Sequence, residues 1–291
     1  MAETKNRRIG LFDSGVGGLT VLKQMYRRLP QESILYFGDT ARLPYGTRSQ
    51  AEILQFVREI IDWMLTQDVK MIIMACNTSS ALALETLRKE YDIPLLGLIL
   101  PGARAAVRVG QRIGVIATPA TAASNAYRQA VQEVDPTTEV WQVGCPEFVM
   151  LIEQNQLHSA YTKQVAQEYL QPLLERKIDT LIYGCTHYRH LEHILRLILP
   201  SSVKIVDPAE HIVIAAEKEL ELMGIKSNQQ PLATHFYVSG SPEDFAQLSR
   251  QWLGYVPQVR CQKLNIPVEI SDQGKLSVDL FTGLGFLPRE E

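Results

Sequence analysis

Short apolar runs alternate along the chain with longer segments in which apolar residues recur every three or four positions. The short runs predict buried strands, and the 3.6-residue period of the longer segments predicts helices. Strands are expected in "RRIGLFDSG", "SILYFGD" and "VKMIIMACN", and helices in "GLTVLKQMYRRLP" and "SQAEILQFVREIIDWMLTQ". This alternation is typical of an α/β fold in which helices cover both faces of a parallel sheet.

The motifs of the first third of the chain recur in the same order, offset by 104 to 109 residues. The paired positions are Ile9 with Ile113, Gly38 with Gly144, Cys76 with Cys185, and Pro101 with Pro208. Self-similarity of this kind indicates a duplicated unit. We therefore predict two similar α/β domains with parallel sheets, related by a pseudo-twofold axis. The active site is expected in the cleft between them, because ligands bind at the carboxyl ends of parallel strands.

The repeat also predicts how the chain is divided. Residues 1–98 form the first unit and residues 99–209 the second. The pattern after residue 209 is helix, strand, helix, which we expect to return and complete the first unit, so that residues 1–98 and 210–291 form one discontinuous domain. The stretch beyond about residue 265 matches neither unit.

Composition narrows the class of protein. The chain has 291 residues, is 46% hydrophobic and 21% charged, and carries a formal net charge of −3, which argues against a nucleic-acid partner. No apolar run is long enough to span a membrane, and the first ten residues lack an apolar signal core, so a cytoplasmic protein is expected. Four cysteines in such a chain do not form a disulfide framework.

Two of these cysteines occupy matching places in the repeat. Cys76 and Cys185 each follow a predicted buried strand and precede a predicted helix. A lone buried cysteine is usually a small apolar residue, but two that face one cleft can invert a carbon that bears an acidic hydrogen. One thiolate removes the proton from one face, and the other thiol returns a proton to the opposite face. A thiol suits both tasks, because its ordinary pKa is about 8.5.

The two halves differ beside these cysteines. Asp13 aligns with Ala117, so only the first half has this carboxylate, and His187 aligns with Thr78, so only the second half has this imidazole. Asp13 is expected to assist Cys76 or to hold a substrate ammonium group, and His187 is expected to assist Cys185. A racemase acting on a chiral substrate needs such an asymmetry.

Two other classes of protein compete with this interpretation. "DSGVGG" has the first two glycines of a dinucleotide-binding fingerprint, Gly15 and Gly17, but Thr20 in the place of the third, and Asp39 follows about 20 residues later. A nucleotide-binding oxidoreductase would however place Asp13 near a pyrophosphate and would leave the two cysteines unexplained. A non-catalytic binding protein could use the same cleft without titrating thiols.

A metal site is not expected. His187, His190 and His193 are three residues apart, and on a helix such spacing turns the side chains away from one another. We expect His190 and His193 to be surface or packing residues. Cys145, to which "GCPEF" gives no base partner, and Cys261 are expected to be structural.

Taken together and in order, seven stretches resemble the cofactor-independent aspartate/glutamate racemase family. They are "FDSGVGG", "YFGDTARLPYG", "ACNTSSA", "PGARAA", "CPEFVMLIE", "GCTHYRHL" and "VDPAEHI". The resemblance implies interconversion of L- and D-glutamate for peptidoglycan synthesis, with no pyridoxal phosphate or other cofactor and no metal. A homodimer is also compatible with it. The choice of glutamate over aspartate or another amino acid rests on the resemblance alone.

The resemblance also implies roles for individual residues. Cys76 would take the α-proton of the D-enantiomer and Cys185 that of the L-enantiomer. The assisting residues would be Asp13, Asp39, Glu153 and His187. The substrate-binding residues, besides Asp13 and His187, would be Ser14, Pro44, Tyr45, Gly46, Asn77, Thr78, Thr118, Thr121 and Thr186.

Overall fold

The computed structural model of the chain describes residues 2–264, so the last part of the expected first domain, residues 265–291, lies outside the described residues. The strands within this range are β1 Arg8–Asp13, β2 Ile34–Gly38, β3 Val69–Met74, β4 Leu95–Gly97, β5 Arg112–Ala117, β6 Glu139–Gly144, β7 Thr180–Gly184, β8 Lys204–Val206, β9 His235–Val238 and β10 Val259–Cys261.

Helices connect these strands. They are α1 Ala2–Lys5, α2 Leu19–Arg28, α3 Gln50–Thr66, α4 Asn77–Leu82, α5 Leu84–Leu87, α6 Ile99–Val107, α7 Pro119–Ala123, α8 Ala126–Val134, α9 Pro146–Glu153, α10 Ala160–Glu175, α11 Glu192–Ile198, α12 Pro208–Leu222 and α13 Pro242–Leu253, with 3₁₀ helices at Thr40–Arg42, Tyr45–Thr47 and Thr186–Leu191. Among the helices of the described range, none is long and apolar enough to cross a bilayer.

The strands form two parallel sheets with the same internal order. One sheet has the order β10-β9-β2-β1-β3-β4, and the other has the order β6-β5-β7-β8. The run β2-β1-β3-β4 therefore repeats as β6-β5-β7-β8, and each pairing is parallel. This confirms the predicted fold class, two α/β units with parallel sheets.

The segment after residue 209 returns to the first sheet, as expected. Strand β9 pairs with β2, and β10 pairs with β9. Helix α12, which leads there from the second sheet, packs against α2 of the first half and α6 of the second. The domain limits at residues 98/99 and 209/210 stay a prediction.

Local sequence explains the boundaries of the longer elements. The central strands β1 to β3 are apolar and almost completely buried, as strands covered on both faces must be. Helix α3 begins with a capping box, in which the Ser49 hydroxyl accepts from the Glu52 amide and the Glu52 carboxylate accepts from the Ser49 amide. Helix α12 begins with Asp207 as its N-cap and Pro208 in its first turn.

The segment after Cys185 differs from the prediction of a regular helix. Residues Thr186–Leu191 form a 3₁₀ helix, and α11 begins only at Glu192. The amide of Tyr188 donates to the Cys185 carbonyl three residues back, and the Tyr188 hydroxyl donates to the Cys145 carbonyl at 2.9 Å. Buried side chains therefore fix a tight turn here, and the two cysteines precede different kinds of helix.

A buried ion pair holds together the base of the first sheet. The Lys70 ammonium lies 2.6 Å from a carboxylate oxygen of Glu32, and both side chains are essentially unexposed. Lys70 also donates to the carbonyls of Lys5 and Ile225, and Glu32 accepts from the Ser227 amide. The pair thus ties β3 to the N-terminal segment and to the segment that leads into β9.

We expect Lys70→Ala to lower the free energy of unfolding by about 3–5 kcal/mol, because the substitution leaves the Glu32 carboxylate buried without its counter-ion. Arg58→Ala removes one partner of the exposed Arg58–Glu90 pair and is the matched control, with a much smaller expected change. Chemical denaturation measures both variants, and equal effects would contradict the assigned importance of the buried pair.

Candidate active site

The carboxyl ends of the two sheets face one narrow cleft. Its lining from the first half consists of Asp13, Ser14, Leu43, Pro44, Tyr45, Gly46, Cys76, Asn77 and Thr78. Its lining from the second half consists of Thr118, Val149, Cys185, Thr186 and His187. Twelve of these fourteen residues were expected from the sequence. Leu43 and Val149 were missed, although both lie inside motifs that the sequence analysis singled out.

Cys76 lies between the end of β3 and the first residue of α4. Its carbonyl accepts from the amide of Ser80 and from the hydroxyls of Ser79 and Ser80, which fixes the backbone at this corner. Burial, reinforced by the nearby Asp13 carboxylate, raises the pKa of the Cys76 thiol to about 12. At neutral pH Cys76 is therefore a thiol.

Cys185 belongs to a chain of three polar side chains. Its Sγ lies 3.7 Å from Nδ1 of His187, and Nε2 of His187 lies 2.8 Å from Oε1 of Glu153, the last residue of α9. Burial alone would lower the pKa of His187, but the contacts with Cys185 and Glu153 raise it well above its ordinary value. The imidazole is therefore charged at neutral pH and can support a negative charge on Cys185.

Asp13 presents one carboxylate oxygen without a partner. It ends β1 and is 1% exposed, and its Oδ2 accepts from the Gly18 amide at 2.6 Å. Its Oδ1 is buried and has no hydrogen-bond partner among the described residues. Burial raises the pKa of this carboxyl group, while the charge of His187 and backbone donors act in the opposite direction. The free oxygen is a ready acceptor for a cationic group in the cleft.

Asp39 contacts Tyr45 and not the cleft. Its side chain is unexposed; Oδ2 accepts from Nε of Arg42 at 2.7 Å and from the Tyr45 hydroxyl. Its Oδ1 accepts from the Ser239 hydroxyl at 2.7 Å. Through these contacts Asp39 holds in place Tyr45, which lines the cleft. The expected assistance of Asp39 to the thiols stays a prediction.

Three threonine hydroxyls join the two halves at the cleft. Oγ1 of Thr78 lies 2.9 Å from Oγ1 of Thr118 and 3.2 Å from Oγ1 of Thr121. Thr121 is completely buried behind Thr118, so it supports this cluster without lining the cleft. Gly46 packs so closely that a Cβ atom there would lie 2.6 Å from Cβ of Thr118.

Close packing explains two of the three glycines of "DSGVGG", Gly17 and Gly18. A Cβ atom at Gly17 would collide with Thr186 and His187 of the other half. A Cβ atom at Gly18 would lie 2.6 Å from Cβ of Asp13, whose carboxylate accepts from the Gly18 amide. Gly17, the second glycine of the dinucleotide fingerprint, is therefore explained without a bound phosphate.

His190, Cys145 and Cys261 do not line the cleft. The His190 ring packs on the Trp252 indole with 3.4 Å between centroids, and burial lowers the pKa of His190 to about 3. Cys145 is completely buried, whereas Cys261 is exposed on β10. Within residues 2–264, no group of three or more His, Cys, Asp or Glu side chains is arranged to hold a metal ion.

Comparison with known proteins agrees with this geometry. The family model described as Asp/Glu/Hydantoin racemase matches residues 10–216, and the chain belongs to this family. The glutamate racemase of Gloeothece citriformis is 68% identical over 278 residues, which cover 96% of this chain and 99% of that protein.

The structure also resembles solved structures of glutamate racemases. The crystal structure of a glutamate racemase isoform from Bacillus anthracis matches with a TM-score of 0.86 and 39% identity, covering 91% of this chain and all of that one. The glutamate racemase of Francisella tularensis, solved in complex with D-glutamate, matches with a TM-score of 0.84 and 36% identity, covering 90% of this chain and 98% of that one.

We expect the rate of Cys76 alkylation by iodoacetamide to rise about tenfold per pH unit from pH 7 to pH 10, because the reactive thiolate stays a small fraction below a pKa of about 12. Mass spectrometry of the Cys76 peptide measures the rate. A short peptide with one free cysteine, whose rate levels off above a pH of about 8.5, is the control. A plateau for Cys76 below pH 9 would contradict the proposed environment.

Proposed function

We propose that this chain interconverts L- and D-glutamate by proton transfer at Cα between two cysteines, supplying D-glutamate for peptidoglycan synthesis. The observation that carries the proposal is the placement of Cys76 and Cys185 after matching strands of two matching sheets, so that both thiols line one cleft. Relatives 60–68% identical over most of the chain are named glutamate racemase, which supports glutamate as the substrate.

The electrostatics support a defined direction for each proton. Cys185, which lies beside the charged His187, takes the α-proton of L-glutamate. Cys76, a thiol at neutral pH, donates to the opposite face. In the reverse reaction Cys76 takes the α-proton of D-glutamate and Cys185 returns a proton.

Binding of the substrate helps Cys76 to act as a base. The Asp13 charge is one reason why the pKa of Cys76 is raised. An ammonium group on the free oxygen of Asp13 would neutralise that charge and so lower the pKa of Cys76 again. In this scheme Asp13 binds the amino group of glutamate and controls the thiol at the same time.

Small polar side chains fit the two carboxylates of glutamate. Ser14, Asn77, Thr78, Thr118 and Thr186 line the cleft and offer hydroxyl or amide donors, while Tyr45, Pro44 and Gly46 shape its wall. Neutral donors of this kind bind anions without adding a cation that would compete with the substrate ammonium for Asp13. Glu153 holds His187 from behind, and Thr121 supports Thr118.

The proposal extends to the setting of the reaction. Two thiols can exchange protons only while they are reduced, and the four cysteines are free, which fits a cytoplasmic location. The scheme uses no cofactor and no metal.

We further propose that residues 1–98 with 210–291 form one domain and residues 99–209 the other. This division would allow the two halves to part for substrate entry. That the chain forms a homodimer stays a prediction, which a measurement of its molecular mass in solution would test.

The proposal is tested with purified protein, L-glutamate and heavy water, without added cofactor. We expect optical rotation to decay to zero while deuterium enters Cα, and we expect aspartate to react much more slowly. Cys76→Ala and Cys185→Ala should each lower the rate by about 10²–10⁴-fold or more, because each removes an acid or base group. Cys145→Ala, which also removes a buried thiol, is the control and should retain the rate.

No loss of rotation from either enantiomer of glutamate would overturn the proposed function. If aspartate is racemised faster than glutamate, aspartate is the substrate, and the two-cysteine chemistry is unaffected. Undiminished turnover in Cys76→Ala would overturn the chemistry itself.

A further inference from the structure

A buried tyrosine of the second half donates a hydrogen bond to the residue next to Cys76. Tyr127 lies on α8 and is completely buried, and its hydroxyl lies 2.6 Å from Oδ1 of Asn77. Asn77 is the first residue of α4 in the first half and lines the cleft. The contact spans 50 positions of sequence and joins the two halves beside the catalytic cysteine.

The phenol is held as a donor. Its ring packs in an apolar cluster with Ile99, Val115 and Ile182. Burial raises the pKa of Tyr127 well above its ordinary value, and the nearby Asp207 and Cys185 charges act in the same direction, so the hydroxyl keeps its proton. Most buried hydroxyls in folded proteins are hydrogen-bonded, and in the described part of the chain the Tyr127 hydroxyl donates to Asn77 Oδ1.

An asparagine amide has two faces of opposite character. Its oxygen accepts, whereas its NH₂ group donates, and a rotation of 180° about the last side-chain bond exchanges them. Because Tyr127 engages Oδ1 at the back of the amide, the NH₂ group is left for the cleft. The cleft then presents a donor, which attracts a carboxylate, instead of an oxygen, which would repel one.

We propose that Tyr127 is a positioning residue that sets the Asn77 amide with its NH₂ group toward a carboxylate of the substrate. This inference rests on the proposed function and assigns within it the residue that orients one anion-binding group. Tyr127 touches neither the substrate nor the reacting atoms and acts through Asn77.

The test compares Tyr127→Phe with the unsubstituted chain and with Tyr183→Phe. The Tyr183 hydroxyl is also buried in the second half, but it has no hydrogen-bond partner among the described residues, so its removal is the matched control. We expect Tyr127→Phe to raise KM for both enantiomers about 5–20-fold, because the Asn77 amide loses the hydrogen bond of about 1 kcal/mol or somewhat more that holds its NH₂ group toward the carboxylate, with kcat changed less than about threefold. Tyr183→Phe should leave both constants unchanged.

A second substitution separates positioning from general support of the fold. In an Asn77→Ala background the amide is gone, so Tyr127→Phe should have no further effect on KM. Thermal unfolding of each variant checks that the chain is folded. An unchanged KM in Tyr127→Phe, or the same rise with and without Asn77, would overturn the inference.

Equilibrium binding of D-glutamate to the same variants keeps the two proposals distinguishable. We expect the Kd of Tyr127→Phe to rise by the same 5–20-fold as KM. If the unsubstituted chain binds D-glutamate without racemising it, the proposed function fails while the loss of affinity in Tyr127→Phe still supports the inference. If the unsubstituted chain racemises glutamate and Tyr127→Phe binds equally well, the inference alone fails.

Discussion

The proposed proton transfer requires two identical thiols to hold opposite protonation states in one cleft, and the roles proposed for the rest of the site follow from this constraint. Burial disfavours the charged form of a thiol, so a thiolate in this cleft needs a positive partner. The charged His187, held by Glu153, provides the positive partner on the Cys185 side. Asp13 provides a negative neighbour on the Cys76 side. The duplicated fold places the two cysteines in equivalent positions. Asp13 and His187, each present in one half only, make the surroundings of the two thiols different, as the proposed proton transfer requires.

The same constraint explains why the two halves pack so closely at the cleft. The loop after β1 needs Gly17 because the second half brings Thr186 and His187 against it. The wall of the cleft needs Gly46 because Thr118 lies against it. Water that entered between the halves would weaken each of these electrostatic effects. Close approach therefore serves the chemistry, and the glycines mark the places where backbone meets side chain.

The sequence predicted the features that depend on local pattern. Hydrophobic periodicity predicted the alternation of strands and helices. The constant offset between motifs predicted the repeat and the two cysteines at matching strand ends. In the structure, the strand order β2-β1-β3-β4 of the first sheet recurs as β6-β5-β7-β8 in the second. Contacts between distant residues left no such signal. The bond from Ser239 to Asp39 spans 200 positions, and that from Tyr127 to Asn77 joins two different halves. The 3₁₀ turn after Cys185 also escaped prediction, since buried tertiary contacts of Tyr188 decide it.

The central claim is that Cα is reached from opposite faces by two different groups. The measurement that tests it most directly is the deuterium content at Cα of both enantiomers during the first few per cent of reaction from L-glutamate in heavy water. The account predicts that newly formed D-glutamate carries deuterium from the Cys76 thiol, while recovered L-glutamate still carries its original hydrogen. D-Glutamate that retains the hydrogen of its parent molecule would show that one group serves both faces and would contradict the account.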